Sequence, residues 1–233
     1  MPQRFLLDRG RLVVYLGLVS AGCAHTPVSL VPDTARPATA EQAATWARET
    51  TPGRYRLHRF KWSFRDERAT AGGRGSARIA PPDSIRIDVA GPFGADATAA
   101  MVIGDVAQWT DPEDAARDLL PNYPLMWAMF GVAQPPEFAA TPTAYVDEDA
   151  HIWQYTSGAD TVQYARIGGE KPRFVALVRH AGDLVGRAEA RLAPDGTLNS
   201  AQLVTPKTRL DLHFYRYATP DSFPADTWHP STP

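Results

Sequence analysis

The chain has 233 residues, 44% of them hydrophobic, a formal net charge of −2 and a single cysteine. That length suffices for one well-buried domain. A lone cysteine excludes an internal disulfide framework, and the charge balance offers no overall basic field for a nucleic-acid backbone or for anionic head groups, so no nucleic-acid partner is expected.

The first 23 residues carry a signal of their own. Arg4, Arg9 and Arg11 make a basic start, and the apolar run Leu12 to Val19 is too short to span a bilayer as a helix. Small residues follow, Ser20-Ala21-Gly22, and end on Cys23. This pattern resembles the lipobox of bacterial lipoproteins, with Ser20 where an aliphatic residue is usual. The resemblance implies a signal peptide over 1–22 and a lipid anchor on the Cys23 thiol. Cleavage there leaves 211 residues with a formal charge of −4, because the first 22 carry three Arg and one Asp. Ala24 follows the cysteine in place of the Asp that retains many lipoproteins at the inner membrane. The implied location is therefore the periplasmic face of the outer membrane, reached through acyl chains rather than a spanning helix.

Residues 23–38 are rich in Pro, Thr and Ser and read as a lipidated tether, and the folded domain is expected over 39–218. Thr39 and Gln42 have capping-box spacing ahead of Ala43, Ala44, Trp46 and Ala47, the apolar face of a short helix. From Gly53 the period becomes two. Tyr55 and Leu57 alternate in one parity and Phe60, Trp62 and Phe64 in the other, which requires a bulge or face switch near His58-Arg59. Gly72-Gly73 is expected to open a turn. Ile85, Ile87 and Val89 line one face of the next strand. Gly104-Asp105 joins two strands, Met101 to Ile103 and Val106 to Trp109, as a hairpin.

Two helices are expected in the middle. One begins at Thr110-Asp111-Pro112-Glu113 with Ala115, Ala116, Leu119 and Leu120 as its stripe. The second runs from near Pro124 through Phe130 to a C-cap at Gly131. Leu125 to Phe130 is apolar all round and must be buried on every side or lie against lipid. Strands return over His151 to Thr156, Thr161 to Ile167, Arg173 to His180, Leu184 to Leu192, Leu198 to Val204 and Arg209 to Tyr217, with Gly-containing turns between them. Residues 219–233 form a Pro-rich extended tail. Successive antiparallel strands interrupted once by a helical pair predict a mainly β fold, a closed barrel or a strongly curved sheet with helices over its mouth.

The order of features across about Ile79 to Pro135 resembles the LolA/LolB superfamily, and the LolB-like outer-membrane lipoprotein receptors in particular. The resemblance is carried by Asp83-Ser84-Ile85-Arg86-Ile87-Asp88-Val89-Ala90-Gly91-Pro92-Phe93-Gly94, the strand pair ending near Trp109, the acidic helix start at Asp111 to Asp114, and Pro124-Leu125 with its apolar helix. It implies an incomplete antiparallel β-barrel, a half-barrel covered by short helices, over a hydrophobic cavity. It also implies acylated lipoproteins and a LolA-like periplasmic carrier as partners, and a monomer. Phe93, between Pro92 and Gly94, falls where LolB-type chains insert a leucine into the membrane. The candidate cavity residues are Trp62, Ile85, Ile87, Met101, Ile103, Trp109, Trp127, Met129, Phe130 and Trp153, since Met and Trp adapt to acyl chains of variable shape.

Catalytic patterns are lacking. No GxSxG elbow, zinc-protease His pair or P-loop occurs, so neither an enzyme nor a cofactor or metal is expected. Asp147-Glu148-Asp149 and His151 read as a solvated hairpin turn rather than a ligand set, and His180 beside Asp183 as a strand end. Two functions fit. One is a lipoprotein-delivering receptor; the other is a non-enzymatic envelope scaffold or sensor on the same half-barrel, which a dry, filled interior would favour.

Overall fold

A computed structural model describes residues 29–94, 97–111, 122–136 and 141–230, with Phe93 described by its backbone alone. Cys23 and the segment 1–22 lie outside the described residues, as does the first helix expected in the middle of the chain apart from its start at Thr110-Asp111, which belongs to a strand.

In chain order the described elements are β1 (Arg36–Ala38), α1 (Ala40–Thr50), β2 (Arg56–Arg65), β3 (Thr70–Ala80), β4 (Ser84–Ala90), β5 (Thr98–Ile103) and β6 (Val106–Asp111). They continue with α2 (Tyr123–Met129), β7 (Thr143–Asp147), β8 (Ala150–Ser157), β9 (Asp160–Ile167), β10 (Arg173–His180), β11 (Asp183–Leu192), β12 (Leu198–Val204) and β13 (Arg209–Ala218). All thirteen strands form one sheet in the order β1-β7-β8-β9-β10-β11-β12-β13-β2-β3-β4-β5-β6, antiparallel throughout. The sheet does not close: β1 and β6 are its two edges. It is the incomplete barrel rather than the closed one. The pairing of β13 with β2 joins the two ends of the chain across the middle of the sheet.

Alternation gives the sheet two unlike faces. Inward lie His58, Phe60, Trp62 and Phe64 on β2, Ile85 and Ile87 on β4, Phe174 and Ala176 on β10, and Leu210 and Leu212 on β13. Both helices cover this inner face. The Thr39 capping box is present, with Gln42 N–H donating to Thr39 Oγ1 at 3.2 Å and Thr39 N–H to Gln42 Oε1 at 2.9 Å. The face of α1 carrying Ala43, Trp46 and Ala47 is buried against β7 and β8.

Helix α2 starts at Asn122, whose side chain accepts from Leu125 N–H, and ends in a Schellman motif. There Gly131, at φ 73°, donates to Ala128 O, and Val132 donates to Trp127 O. Its residues Leu125 to Phe130 are all at most 2% exposed. The apolar girdle is therefore enclosed by protein on every side. Burying Leu125, Met126, Met129 and Phe130 contributes on the order of 10 kcal/mol as an upper bound. The helix rests on β10, β11 and β12, where Ala176, Gly186, Ala188, Ala190 and Ala201 keep the floor low. A Cβ at Gly186 would stand 2.7 Å from Leu125 Cδ1.

Three sequence expectations need correction. Order begins before Thr39: β1 pairs with β7, and Leu30 and Val31 pack on Ile152, Ala165 and Val175, so the tether reading of 23–38 fails over its second half. Gly72-Gly73 lies inside β3 instead of opening a turn, because the turn is made at Asp66, which accepts from Arg68 and Ala69 N–H. The irregularity expected in β2 near His58-Arg59 sits instead across the ladder in β13, where Tyr215 is the extra residue and β2 keeps unbroken register with β3. The extended Pro-rich tail is tied to the sheet. Arg86 donates to the carbonyls of Thr227 and His229 at 2.8 and 3.0 Å, and Trp109 Nε1–H donates to Trp228 O at 3.1 Å. These contacts lay the tail along the outer face of β4 to β6.

Every strand and the whole core lie between Leu30 and Leu212 or in the strand that ends at Ala218, so a chain starting at Ala24 retains them. Gly73 tests the sheet most sharply. A Cβ there would come 1.9 Å from Ala90 O, where the Trp62 indole also donates. Gly73→Ala is expected to cost about 3 kcal/mol or more in chemical denaturation. Gly53→Ala, which meets nothing within 4 Å, should change stability by less than about 0.5 kcal/mol.

Candidate functional site

The inner face divides into three zones. Under α1, Trp153 lies 5.6 Å from the Tyr164 ring, 6.1 Å from Phe174 and 6.2 Å from Trp46. His151 stacks on Trp46 at 4.5 Å, nearly parallel. The middle zone is filled by α2, whose Trp127 Nε1–H donates to Gly104 O at 2.6 Å. The third zone, between β13, β2, β4 and β5, keeps an apolar pocket.

That pocket is lined by Phe60 and Trp62 of β2, Leu210 and Leu212 of β13, Ile87 and Val89 of β4, Thr98 to Ala100 of β5, and Met129 and Phe130 at the end of α2. Thr98 and the Trp62 indole are the only lining side chains with a nitrogen or oxygen atom. The space open to a water-sized sphere is about 40 Å³. As folded, the pocket holds a few waters at most, and Phe130 and Met129 occupy much of what an enlarged cavity would need.

The ten candidate cavity residues therefore separate. Trp62, Ile87, Met129 and Phe130 come together in the pocket. Ile85, Trp127 and Trp153 are each fully buried on the inner side but line other zones. Met101, Ile103 and Trp109 are on the outer face, a correction that follows from register. Ile87 opposes Ala100 and Ile85 opposes Val102, so the intervening Met101 and Ile103 share the outward side with Arg86. Trp109 pairs with Met101, and Arg86 lies over its ring at 5.1 Å. Phe60, Val89, Leu210 and Leu212 belong to the pocket and were not singled out. The signal for them was the Phe60-Trp62-Phe64 alternation, extended across the β13 pairing that only tertiary structure reveals.

The loop over Pro92–Gly94 is a single 3₁₀ turn between β4 and β5, with Pro92 and Gly94 exposed. Asp147, Glu148 and Asp149 surround the β7–β8 hairpin turn, and Asp147 accepts from Thr34 Oγ1 at 3.3 Å. His180 ends β10 with its Nδ1 2.8 Å from Asp160 Oδ1. Among the described residues no group of His, Cys, Asp or Glu side chains is placed to hold a metal. Nor is any described helix long and apolar enough to cross a membrane.

His58 is the functional-zone residue that sequence reading missed. It occupies the inner parity of β2 and is 3% exposed, with the rings of Tyr217, Phe214 and Phe130 at 5.2, 5.6 and 6.1 Å. Its Nε2 is buried and has no hydrogen-bond partner. Burial, helped by the Arg56 charge, lowers its pKa from 6.5 to about 4.

The amino-acid sequence matches no family model and no curated protein. The fold does have a solved counterpart. A LolA-superfamily protein from Nitrosomonas europaea superposes with a TM-score of 0.52 at 10% identity, over 83% of this chain and 98% of that one. The chain thus has a LolA-like fold, mainly β and built on one large open antiparallel sheet.

The depressed His58 pKa makes a pH prediction. The folded state binds fewer protons than the unfolded chain between pH 6.5 and about 4, so stability is full above that window and falls as pH drops through it. The loss attributable to His58 should approach about 3 kcal/mol. His58→Phe should flatten this part of the stability–pH profile in urea titrations; an unchanged slope would show that His58 is not its source.

Proposed function

We propose that this protein is a lipid-anchored envelope lipoprotein that takes the acyl chains of other lipoproteins into its half-barrel and passes them to the outer membrane. The observation that carries the reading is the pocket. It is an almost wholly carbon-lined recess at one end of a curved sheet, with a short, fully apolar helix for its movable wall. The LolA-like fold is consistent with a ligand of this class. The lipobox pattern at Cys23 supports the anchor, and Ala24 supports the outer membrane.

The mechanism needs no chemistry, and the reading is of a binding protein rather than an enzyme. Helix α2 is held mostly by apolar contact; the Trp127–Gly104 bond is its one deep polar tie to a strand hairpin. Apolar contact is non-directional, so an acyl chain can replace the Met129 and Phe130 side chains against Phe60, Trp62 and Leu212 with little change in buried area. Entry exchanges one apolar surface for another, and exit into a bilayer does the same. Direction is then set by where burial is most complete. At the exposed Pro92–Gly94 turn, Phe93 is the residue we assign to contact with the membrane, since an aromatic side chain buried there contributes about 1.5–3 kcal/mol. A LolA-like periplasmic carrier would be the source of cargo.

The second reading, an envelope scaffold or sensor without cargo, is favoured by one observation: the interior is nearly full, with about 40 Å³ left free.

A fluorescent triacylated peptide separates the two. The chain from Ala24 onward is expected to bind it and transfer it to liposomes, while Phe93→Glu binds but transfers poorly. Failure of the wild type to bind the peptide would leave the scaffold reading. Met129→Ala adds a test of the pocket wall. It should cost about 2–5 kcal/mol of stability and yet tighten acyl-peptide binding by making room. Weaker binding by the folded variant would place the acyl chain elsewhere.

A further inference from the structure

We propose that the outer face of β13, β2 and β3 is a docking surface for an anionic phospholipid bilayer, held by Arg59, Lys61, Arg65, Arg74 and Arg216. The chain as a whole is slightly acidic, which on the sequence alone argued against any such field. Folding segregates the charge. The alternation that turns Phe60, Trp62 and Phe64 inward turns Arg59, Lys61 and Arg65 outward. Lys61 pairs in register with Arg74 on one side and His213 on the other. Arg59 pairs with Arg216, and Arg65 with Arg209.

All five cations are exposed, and none has a carboxylate partner among the described residues. The neighbouring cations that do have one mark the borders of the patch: Arg78 and Arg86 share Asp88, and Arg209 holds Asp211 at 2.8 Å. Like charges directly opposed across a ladder repel, so this arrangement opposes folding slightly and is relieved by an anionic counter-surface.

Two observations select a bilayer as the occupant. Neighbouring strands lie about 4.8 Å apart and same-face residues about 6.8 Å apart along a strand. The cations therefore form a two-dimensional array, which matches a plane of phosphate head groups better than a single line of phosphates. Tyr215, the extra residue of the β13 bulge and 54% exposed, stands at this array beside a groove of about 500 Å³ lined by Arg59 and Arg74 on the side of the array and by Asp88 and Asp111 on the other. A tyrosine in such a setting suits the head-group layer.

The second observation is where the chain leaves the fold. Leu30 and Val31 pack on Ile152, Ala165 and Val175, the outward residues of β8, β9 and β10, so the N-terminal segment departs from the outer surface of the sheet, five strands along from β2. Seven residue steps separate Leu30 from Cys23, a span of at most about 25 Å. With lipid on Cys23, the point where the chain leaves the sheet is held within that distance of the membrane, and the basic face, five strand spacings of about 4.8 Å along the sheet, is kept in its neighbourhood. The charge array itself does not depend on the anchor, nor on whether the interior takes an acyl chain.

Co-sedimentation of the chain from Ala24 onward, with no acyl peptide present, tests the surface. Vesicles of phosphatidylcholine alone are compared with vesicles that also contain phosphatidylglycerol. Binding is expected only to the second kind, weakening as salt is raised. A cation near an anionic surface contributes about a factor of five, so Arg59→Gln/Lys61→Gln/Arg74→Gln should bind about 100-fold more weakly, and each single variant about fivefold. A control with the same charge loss elsewhere, Arg48→Gln/Arg54→Gln/Lys171→Gln, should bind like the wild type. The proposal is overturned if phosphatidylglycerol makes no difference, or if both triple variants lose binding alike. It is also overturned if duplex DNA displaces the vesicles and its own binding is lost in the first triple variant, which would make the face a nucleic-acid surface.

Discussion

Everything in this structure turns on the burial of one short helix. The six residues Leu125 to Phe130 of α2 and its C-cap present apolar side chains in every direction, and no single sheet face can satisfy such a helix. The fold answers by curving the sheet around it. The floor beneath is made of glycine and alanine from β10, β11 and β12, so the helix axis sits close to the strands. Its far end meets Phe60 and Phe214, whose rings lie 6.4 and 6.0 Å from Phe130. Enlarging the floor would lift the helix and open the third zone; shrinking the ring cluster would do the same from the other side. The same contacts thus hold the core together and close the pocket.

The structural consequence is an apolar pocket that is nearly closed, with about 40 Å³ of free space. A permanently open apolar cavity would expose a patch prone to association. Filling the recess with the protein's own Met129 and Phe130 avoids this, and the proposed acyl chain would exchange for them like for like. His58 is packed against the same aromatic cluster, and its buried Nε2 has no hydrogen-bond partner.

Strand parity governs the other face as firmly. In β2 each inward ring has an outward cation or Ser63 as its neighbour in sequence, and the partner strands repeat the division. A chain of slight net negative charge thereby acquires a basic face beside an apolar interior. The tail adds a second use of the outer surface, where Arg86 and Trp109 are tied to the carbonyls of Thr227, Trp228 and His229. Met101 and Trp109 are thus outward residues whose size covers the edge of the sheet under the returning chain.

Much of this was determined locally and could be read from the amino-acid sequence. The capping box at Thr39, the C-cap at Gly131, the strand runs from His151 to Tyr217 and the all-round apolar character of Leu125 to Phe130 each depend on residues close in the chain, while enclosure by protein rather than lipid was decided by the sheet. What only the tertiary structure decided depends on partners far apart in it. The pairing of β13 with β2 placed Leu210 and Leu212 in the pocket, and β4–β5 register turned Met101 and Ile103 away from it. Gly73 reads locally as a turn but is a strand residue paired with Trp62, and it must be glycine because the Ala90 carbonyl crowds its position. The segregation of charge is of the same kind. Composition adds charges without regard to side, whereas a pleated strand sends neighbouring residues to opposite faces and its ladder partners decide which charges meet.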